Sequence, residues 1–156
     1  MKESSINYFA YGSNIDIGQM GERNVPWMSR NRAVLNNWGL VFNKRGVLYP
    51  DRAVANIEQR PGGIVEGVVY ELSQEALSQM DNFEIGYRRE LVPVTVFPEQ
   101  ATPYNTESVV YVAEPEFIAS GLSVPNEYLL RIVTGGKGVF TPDYAERVRA
   151  AARRVQ

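Results

Sequence analysis

The sequence contains neither cysteine nor histidine, and these two absences remove several kinds of chemistry. Without cysteine, the chain of 156 residues has no disulfide, no thiolate nucleophile and no cysteine-based metal site, as is usual in a reducing cytoplasm. Without histidine, it lacks the most common general base and the most common transition-metal ligand. Acid–base catalysis must therefore come from carboxylates, tyrosines, lysines or water.

Long apolar runs and a strong net charge are also missing. No apolar run approaches the ~20 residues of a membrane-spanning helix, and residues 1–7 contain no apolar core of a signal peptide. The formal net charge of -2 gives no general attraction to nucleic acid or to an anionic membrane. The basic segment from Arg147 to Arg154 is expected at the end of a helix, where cations are favourable. We therefore expect a cytoplasmic protein with a small-molecule partner.

Short strands and a few helices are predicted within one domain of residues 1–156. Apolar and β-branched runs predict strands at residues 6–11, 33–43, 53–58, 64–72, 90–97 and 107–113. Capping signals predict helices from about residue 16, at 73–82 with Ser73 as N-cap, at 126–133 and from 142 to about 154. Residues 60–63 (RPGG) predict a turn, and Gly67 predicts a bulge or a close backbone approach. This irregular order favours an α+β domain with a mixed, curved or barrel-like sheet over a doubly wound one.

The first predicted strand ends in a candidate binding turn. The segment consists of Tyr8, Phe9, Ala10, Tyr11, Gly12, Ser13 and Asn14. Where a strand ends in Gly-Ser-Asn, successive backbone N–H groups can hold a carboxylate or a developing oxyanion. The alternative is an ordinary strand followed by a turn, because these residue types are common in turns.

Glu84 is the candidate general base. It follows a predicted helix and is flanked by Phe83, Ile85 and Tyr87. An apolar setting raises the pKa of a carboxyl group and makes it a better proton acceptor near neutral pH. The alternative is a surface glutamate between a helix and a strand.

Two other motifs do not carry a site. Residues 134–138 (TGGKG) lack the glycine spacing of a phosphate loop and the Ser or Thr that follows its lysine, so they are interpreted as a loop between helices. Glu114 and Glu116 have no third ligand nearby in the sequence, and we predict no metal site. Arg88 and Arg89 are expected at the surface, because adjacent strand positions face opposite ways.

Three segments together resemble the γ-glutamylcyclotransferase-like family. They are the Tyr-Gly-Ser-Asn turn at residues 11–14, residues 60–70 continuing into Met-Asp-x-x-Glu at 80–84, and residues 125–129 (PNEYL). The resemblance implies a small β-barrel with flanking short helices, without cofactor or metal. It assigns the general base to Glu84 and a substrate contact to Tyr128. It assigns the γ-glutamyl-binding turn to Tyr8, Phe9, Ala10, Tyr11, Gly12 and Ser13, with Asn14 beside it. One departure is Ile85, which stands where the family usually has a glycine directly after the glutamate.

The predicted activity is therefore release of a γ-glutamyl group as 5-oxoproline by attack of the substrate's own α-amine. One alternative is a cyclotransferase specialised for γ-glutamyl amines or for a γ-glutamyl-protected biosynthetic intermediate. The leaving-amine pocket would distinguish the two, and residues 45–51 and 100–107 are expected to line it. A further alternative is a non-catalytic module that binds small molecules.

Overall fold

Five strands close into a mixed β-barrel in the computed structural model, which describes residues 4–153. The strands are β1 (Ser5–Ala10), β2 (Ser29–Arg45), β3 (Ala53–Ser73), β4 (Tyr87–Phe97) and β5 (Tyr104–Ala113). Their order around the barrel is β1-β3-β2-β4-β5, with β1 antiparallel to β3 and parallel to β5. The helices are α1 (Ile17–Glu22), α2 (Gln74–Asp81), α3 (Asn126–Gly135) and α4 (Pro142–Arg153). The predicted α+β barrel with flanking short helices is confirmed.

The predicted starts of helices α1, α2 and α4 are confirmed. Ser73 caps α2, since its hydroxyl accepts a 3.0 Å hydrogen bond from the Ala76 N–H. Asp16 caps α1 by accepting from the Gly18 N–H at 3.1 Å. Helix α4 begins at Pro142 as predicted, and the predicted end at Arg154 lies outside the described residues. No helix within residues 4–153 has the length and apolar character needed to cross a membrane.

The predicted turn at residues 60–63 is wrong, because β3 continues through this segment as one strand. Strand β3 pairs with β2 on both sides of it, with Gln59 opposite Trp38 and Ile64 opposite Asn36. The register shifts between these pairs, and Gly62 has a φ of 78° while its N–H donates to the Asn37 side chain at 3.1 Å. Proline and glycine mark a bulge in a long strand as readily as a turn between two short ones.

The two faces of the sheet bury separate hydrophobic clusters. Side chains alternate between faces along a strand, so Phe9 joins Phe42 and Ile57 in one cluster. Tyr8 and Ala10 join the other, which also contains Leu77 of α2. This alternation puts Tyr8 and Phe9 on opposite faces of the sheet.

Strand β1 ends close against β3. A Cβ on Gly67 would lie 2.1 Å from the Ala10 carbonyl oxygen, so a residue without a side chain is required there. The predicted close backbone approach at Gly67 is thus confirmed. Immediately beyond Ala10 the chain bends through Gly12 into a 3₁₀ turn at Ser13–Ile15, which leads into α1.

Candidate active site

A cleft of ≈ 620 Å³ lies where the bend after β1 meets the connections that follow β2 and α2. Most of the predicted site residues line it: Tyr8, Tyr11, Gly12, Ser13, Asn14, Glu84 and Tyr128. The structure therefore brings the bend and the candidate base to one cavity, although they are distant in the sequence.

Phe9 and Ala10 were also predicted for the site, but the structure does not place either of them in the lining of the cleft. Phe9 points to the opposite face of the sheet from Tyr8 and is completely buried in that cluster. Ala10 is on the same face as Tyr8 and in the same buried cluster, but its side chain ends at Cβ. The period of two along a strand accounts for Phe9, which points away from Tyr8, and the short side chain accounts for Ala10.

Glu84 lies in the connection between α2 and β4, with its side chain 12% exposed. Its Oε1 accepts a 2.7 Å hydrogen bond from the Asn14 side-chain amide and lies 3.4 Å from an Arg23 guanidinium nitrogen. Burial raises the pKa of the Glu84 carboxyl, while Arg23, the Asn14 hydrogen bond and Lys44 act in the opposite direction. The result is a carboxyl group that remains a better proton acceptor than an ordinary surface glutamate.

Asn14 is the centre of a polar network at the bend. Its amide nitrogen also donates to the Tyr8 hydroxyl at 2.9 Å. Its Oδ1 accepts from Gln19 at 2.8 Å and from Arg23 at 2.9 Å. Because both ends of the amide are used, the orientation of Asn14 is fixed, and with it the donor that faces Glu84.

Arg23 lies at the end of α1 and was missed by the analysis of the sequence. Besides its contacts with Asn14 and Glu84, its guanidinium lies 5.0 Å from the centre of the Phe83 ring. Nothing in the local sequence distinguishes this arginine from a surface residue at a helix end. Its role depends on a tertiary contact with the connection that carries Glu84.

Lys44 was also missed, although the sequence contains a signal for it. It is only 2% exposed, and its ammonium donates to the Ile85 carbonyl at 2.7 Å. It lies over the rings of Tyr87 and Phe117, at 4.8 and 5.0 Å. Burial lowers the pKa of Lys44, and the negative charge of Glu84 acts to raise it. In β2, Lys44 follows buried Leu40 and Phe42 at intervals of two, the period that would have predicted an inward-facing cation.

The backbone of Ala55 forms hydrogen bonds with two tyrosines that line the cleft, Tyr87 and Tyr128. The β2–β3 register shifts between Val41 and Lys44, and Ala55 falls in the gap between paired positions. Its N–H donates to the Tyr128 hydroxyl at 2.9 Å, and its carbonyl accepts from the Tyr87 hydroxyl at 2.7 Å. Burial raises the pKa of both hydroxyls, so that both remain neutral hydrogen-bonding groups at physiological pH.

One of the two loops that the sequence predicted for the leaving-amine pocket lines the cleft. Of residues 45–51, Gly46, Val47, Leu48 and Tyr49 line the cleft, whereas none of residues 100–107 does. Arg52, just beyond the predicted range of the first loop, also lines it. Arg88 and Arg89 do not line it either; Arg89 forms a 2.6 Å ion pair with Asp81. Within residues 4–153 no three Asp or Glu side chains are grouped in a way that could hold a metal ion.

Solved structures share this barrel. YkqA from Bacillus subtilis superposes with a TM-score of 0.77 at 23% identity, over 97% of this chain and 55% of that one. This chain thus spans about half the length of YkqA. The human protein loc79017, described as uncharacterised, has a TM-score of 0.65 at 26% identity, over 96% of this chain and 88% of that one. A structure named gamma-glutamyl cyclotransferase has a TM-score of 0.67 at 25% identity, over 94% and 88% of the two chains.

The family follows from the sequence match that accompanies this fold. Residues 8–131 match the family model described as gamma-glutamyl cyclotransferase, AIG2-like. The chain therefore belongs to the AIG2-like gamma-glutamyl cyclotransferase family. None of the curated proteins matches the sequence.

Proposed function

We propose that this protein is a γ-glutamyl cyclotransferase with Glu84 as its general base. The observation that supports the proposal is the largely buried Glu84 carboxyl, which shares a cleft with the bend from Gly12 to Asn14. Family membership and the likeness to a structure named gamma-glutamyl cyclotransferase support the same reaction class.

In this reaction the α-amine of a γ-glutamyl amide attacks the γ-carbonyl carbon of its own residue. A new C–N bond closes the five-membered lactam, and the old amide C–N bond breaks to release an amine or an amino acid. Because nucleophile and electrophile belong to one molecule, no protein nucleophile is required, which suits a chain without cysteine or histidine. The enzyme must hold the substrate in its reactive shape, and such orientation is worth roughly 7–11 kcal/mol.

Glu84 would carry the proton between the two nitrogens. An α-amine has a pKa of about 7.7–8.0, so near neutral pH it is mostly a non-nucleophilic ammonium. The carboxylate accepts its proton and then returns one to the leaving nitrogen. Burial raises the pKa of Glu84, which reduces the difference in pKa between this carboxyl group and the substrate ammonium. A positioned acid–base group of this kind contributes about 10²–10⁴-fold to the rate.

The bend and Tyr128 would bind the γ-glutamyl group. The first N–H groups of a helical turn lack partners within the turn, so those near Gly12 and Ser13 can donate to the oxyanion of the tetrahedral intermediate. Loss of one such donor costs about 2.7–4 kcal/mol in other enzymes. A Cβ on Gly12 would lie 3.5 Å from the Tyr128 hydroxyl, so the bend and this tyrosine enclose the same small space.

The test measures released 5-oxoproline from a panel of γ-glutamyl dipeptides and γ-glutamyl amines. The Glu84→Gln variant is compared with Glu58→Gln, which alters an exposed glutamate that does not line the cleft. We expect release by the wild-type protein and by Glu58→Gln, and a loss of at least about 10²-fold in Glu84→Gln. Circular dichroism of each variant separates a loss of chemistry from a loss of folding.

Two outcomes would contradict the proposal in different ways. Full activity of folded Glu84→Gln would leave the reaction in place but assign the base to another group. Thermal stabilisation by γ-glutamyl ligands without any release would favour a binding module. In that case the Glu84 carboxyl group, which is costly to bury, would contribute only to ligand binding.

A further inference from the structure

The mouth of the cleft is lined by exposed apolar side chains from two connections. Val47, Leu48 and Tyr49 lie in the loop between β2 and β3, and Phe83 and Ile85 flank Glu84. All five are exposed, and Leu48 has the largest exposed fraction of them, at 86%. Isolated apolar residues on a surface are ordinary, but several at the mouth of one cavity mark a binding site for an apolar group.

The position of Glu84 indicates which part of a substrate would meet these side chains. If Glu84 returns a proton to the leaving nitrogen, that nitrogen must come within hydrogen-bond reach of the carboxyl group. The substituent on the nitrogen then begins near Phe83 and Ile85, because both flank Glu84 in the chain and line the same cleft. With the γ-glutamyl part bound at the bend, as proposed above, the leaving amine would extend toward the mouth.

The charges around the cleft argue against a positively charged leaving group. Arg23, Lys44 and Arg52 are among the residues that line it, and the carboxylates that do so are Glu84 and Glu127. Arg52 lies 4.3 Å from the centre of the Tyr49 ring, which places a positive charge among the apolar side chains of the mouth. A second ammonium at the far end of the leaving amine would approach that charge.

We propose that Val47, Leu48, Tyr49, Phe83 and Ile85 form the subsite for the leaving amine, and that this amine is apolar and carries no positive charge along its chain. Alkyl and arylalkyl amines have this chemistry. The inference rests on the proposed function and adds the class of leaving group. Among the alternatives that the sequence left open, it favours a cyclotransferase specialised for γ-glutamyl amines.

A matched series of small substrates tests the proposal. The probes are the γ-L-glutamyl amides of ethylamine, n-pentylamine, phenethylamine and 1,5-diaminopentane. The pentyl and 5-aminopentyl amides differ by one terminal ammonium. We expect kcat/KM for the pentyl and phenethyl amides to exceed that for the ethyl amide by about tenfold or more. The 5-aminopentyl amide should lose most of that advantage.

A pair of leucine variants assigns the preference to the mouth. Leu48→Ser should reduce the pentyl-to-ethyl ratio of kcat/KM several-fold. Leu91→Ser is the control, because Leu91 is also exposed, at 66%, but lies on β4 and does not line the cleft. The ratio should be unchanged in this variant.

The failures of the two proposals are distinguishable. Absence of 5-oxoproline from every amide would overturn the proposed function and the subsite with it. Release from all amides at similar kcat/KM would overturn the subsite alone, and faster release from the 5-aminopentyl amide would overturn the charge argument. If Leu48→Ser changed the sedimentation of the protein but not the ratio, the loop would serve contact with a second copy of the chain, and the subsite would be wrong.

Discussion

The side-chain amide nitrogen of Asn14 lies 2.7 Å from Oε1 of Glu84, although 70 positions separate the two residues. Through this contact the bend after β1 and the connection after α2 become parts of one site. The same amide nitrogen donates to the Tyr8 hydroxyl, and the amide oxygen accepts from Gln19 and Arg23. Asn14 therefore positions the Glu84 carboxyl group, in addition to forming part of the turn.

Replacing Asn14 by aspartate should test this relationship with little change in shape. Asn14→Asp removes the donor to Glu84 and puts a second carboxylate beside it, and like charges at that distance raise the pKa of a carboxyl group. We expect kcat/KM to fall by about 10²-fold and its acid limb to move to higher pH. The control is Asn36→Asp on the exposed face of β2. Lower activity with an unchanged acid limb would mean that Asn14 contributes only to the shape of the turn.

The pH profile should also respond to the two cations that face Glu84. The negative charge is stabilised by Arg23 first and by Lys44 to a smaller extent, so removing either cation raises the pKa of the carboxyl further. The acid limb of kcat/KM should therefore move to higher pH in Arg23→Met, and by less in Lys44→Met. Measurements of kcat/KM from pH 4 to 9 check the order, with the surface variant Arg149→Met as control. A shift to lower pH in either cleft variant would contradict the assignment of the limb to Glu84.

Lys44 has a second role that its conservative variant can separate from its charge. Its ammonium donates to the Ile85 carbonyl, which anchors the residue directly after the candidate base. Lys44→Arg keeps the charge, so the acid limb should stay near its wild-type pH, even where a poorer fit between the Tyr87 and Phe117 rings reduces kcat. Equal shifts of the limb in Lys44→Arg and Lys44→Met would show that the lysine acts on Glu84 through geometry alone.

The Glu84→Gln variant should be more stable than the wild-type protein at neutral pH. Because the pKa of Glu84 is raised in the folded state, the folded protein binds more protons than the unfolded chain between the two pKa values. Stability therefore falls as pH rises through that window, which begins at the ordinary glutamate range. Glutamine does not ionise, so at pH 7 we expect a gain of ~1 kcal/mol, or about 2–4 °C in Tm.

Thermal unfolding at several pH values checks this expectation. The two melting temperatures should converge below the ordinary glutamate pKa, where both forms of the site are neutral. A less stable Glu84→Gln at pH 7 would mean that the contacts with Asn14 and Arg23 outweigh the cost of burial. Glu58→Gln again serves as the control, since its carboxylate is exposed.

The sequence was sufficient for the class of fold because its local signals agree with the final structure. The apolar run before Gly12, the Ser73 cap and the constraint at Gly67 each specify a feature that neighbouring residues alone can enforce. The segment at residues 60–63 could not be assigned in this way. A positive φ at Gly62 fits both a turn and a bulge, and the choice depends on pairing with a distant part of β2.

The site was predictable only where the chemistry resides in a recognisable motif. Glu84 and the bend were found from their residues, but Arg23 reaches them through a tertiary contact that has no local pattern. The alternation of buried residues along β2 indicates that Lys44 faces inward. A continuous motif includes Phe9, whereas the pleat of the strand turns its side chain to the opposite face from Tyr8.

Tyr128→Phe should destabilise the protein more than Tyr87→Phe, although both remove one hydroxyl that contacts Ala55. The Tyr128 hydroxyl accepts the Ala55 N–H, and its loss leaves a buried donor without a partner, at a cost of about 1–3 kcal/mol. The Tyr87 hydroxyl donates to the Ala55 carbonyl, and unsatisfied carbonyls are better tolerated than unsatisfied N–H groups. Denaturant unfolding compares the two, with Tyr104→Phe on the exposed end of β5 as control.

If Tyr128 also binds the γ-glutamyl group, its variant should raise KM more than Tyr87→Phe does. Equal KM values for the two variants would leave Tyr128 with a purely structural role at the β2–β3 bulge.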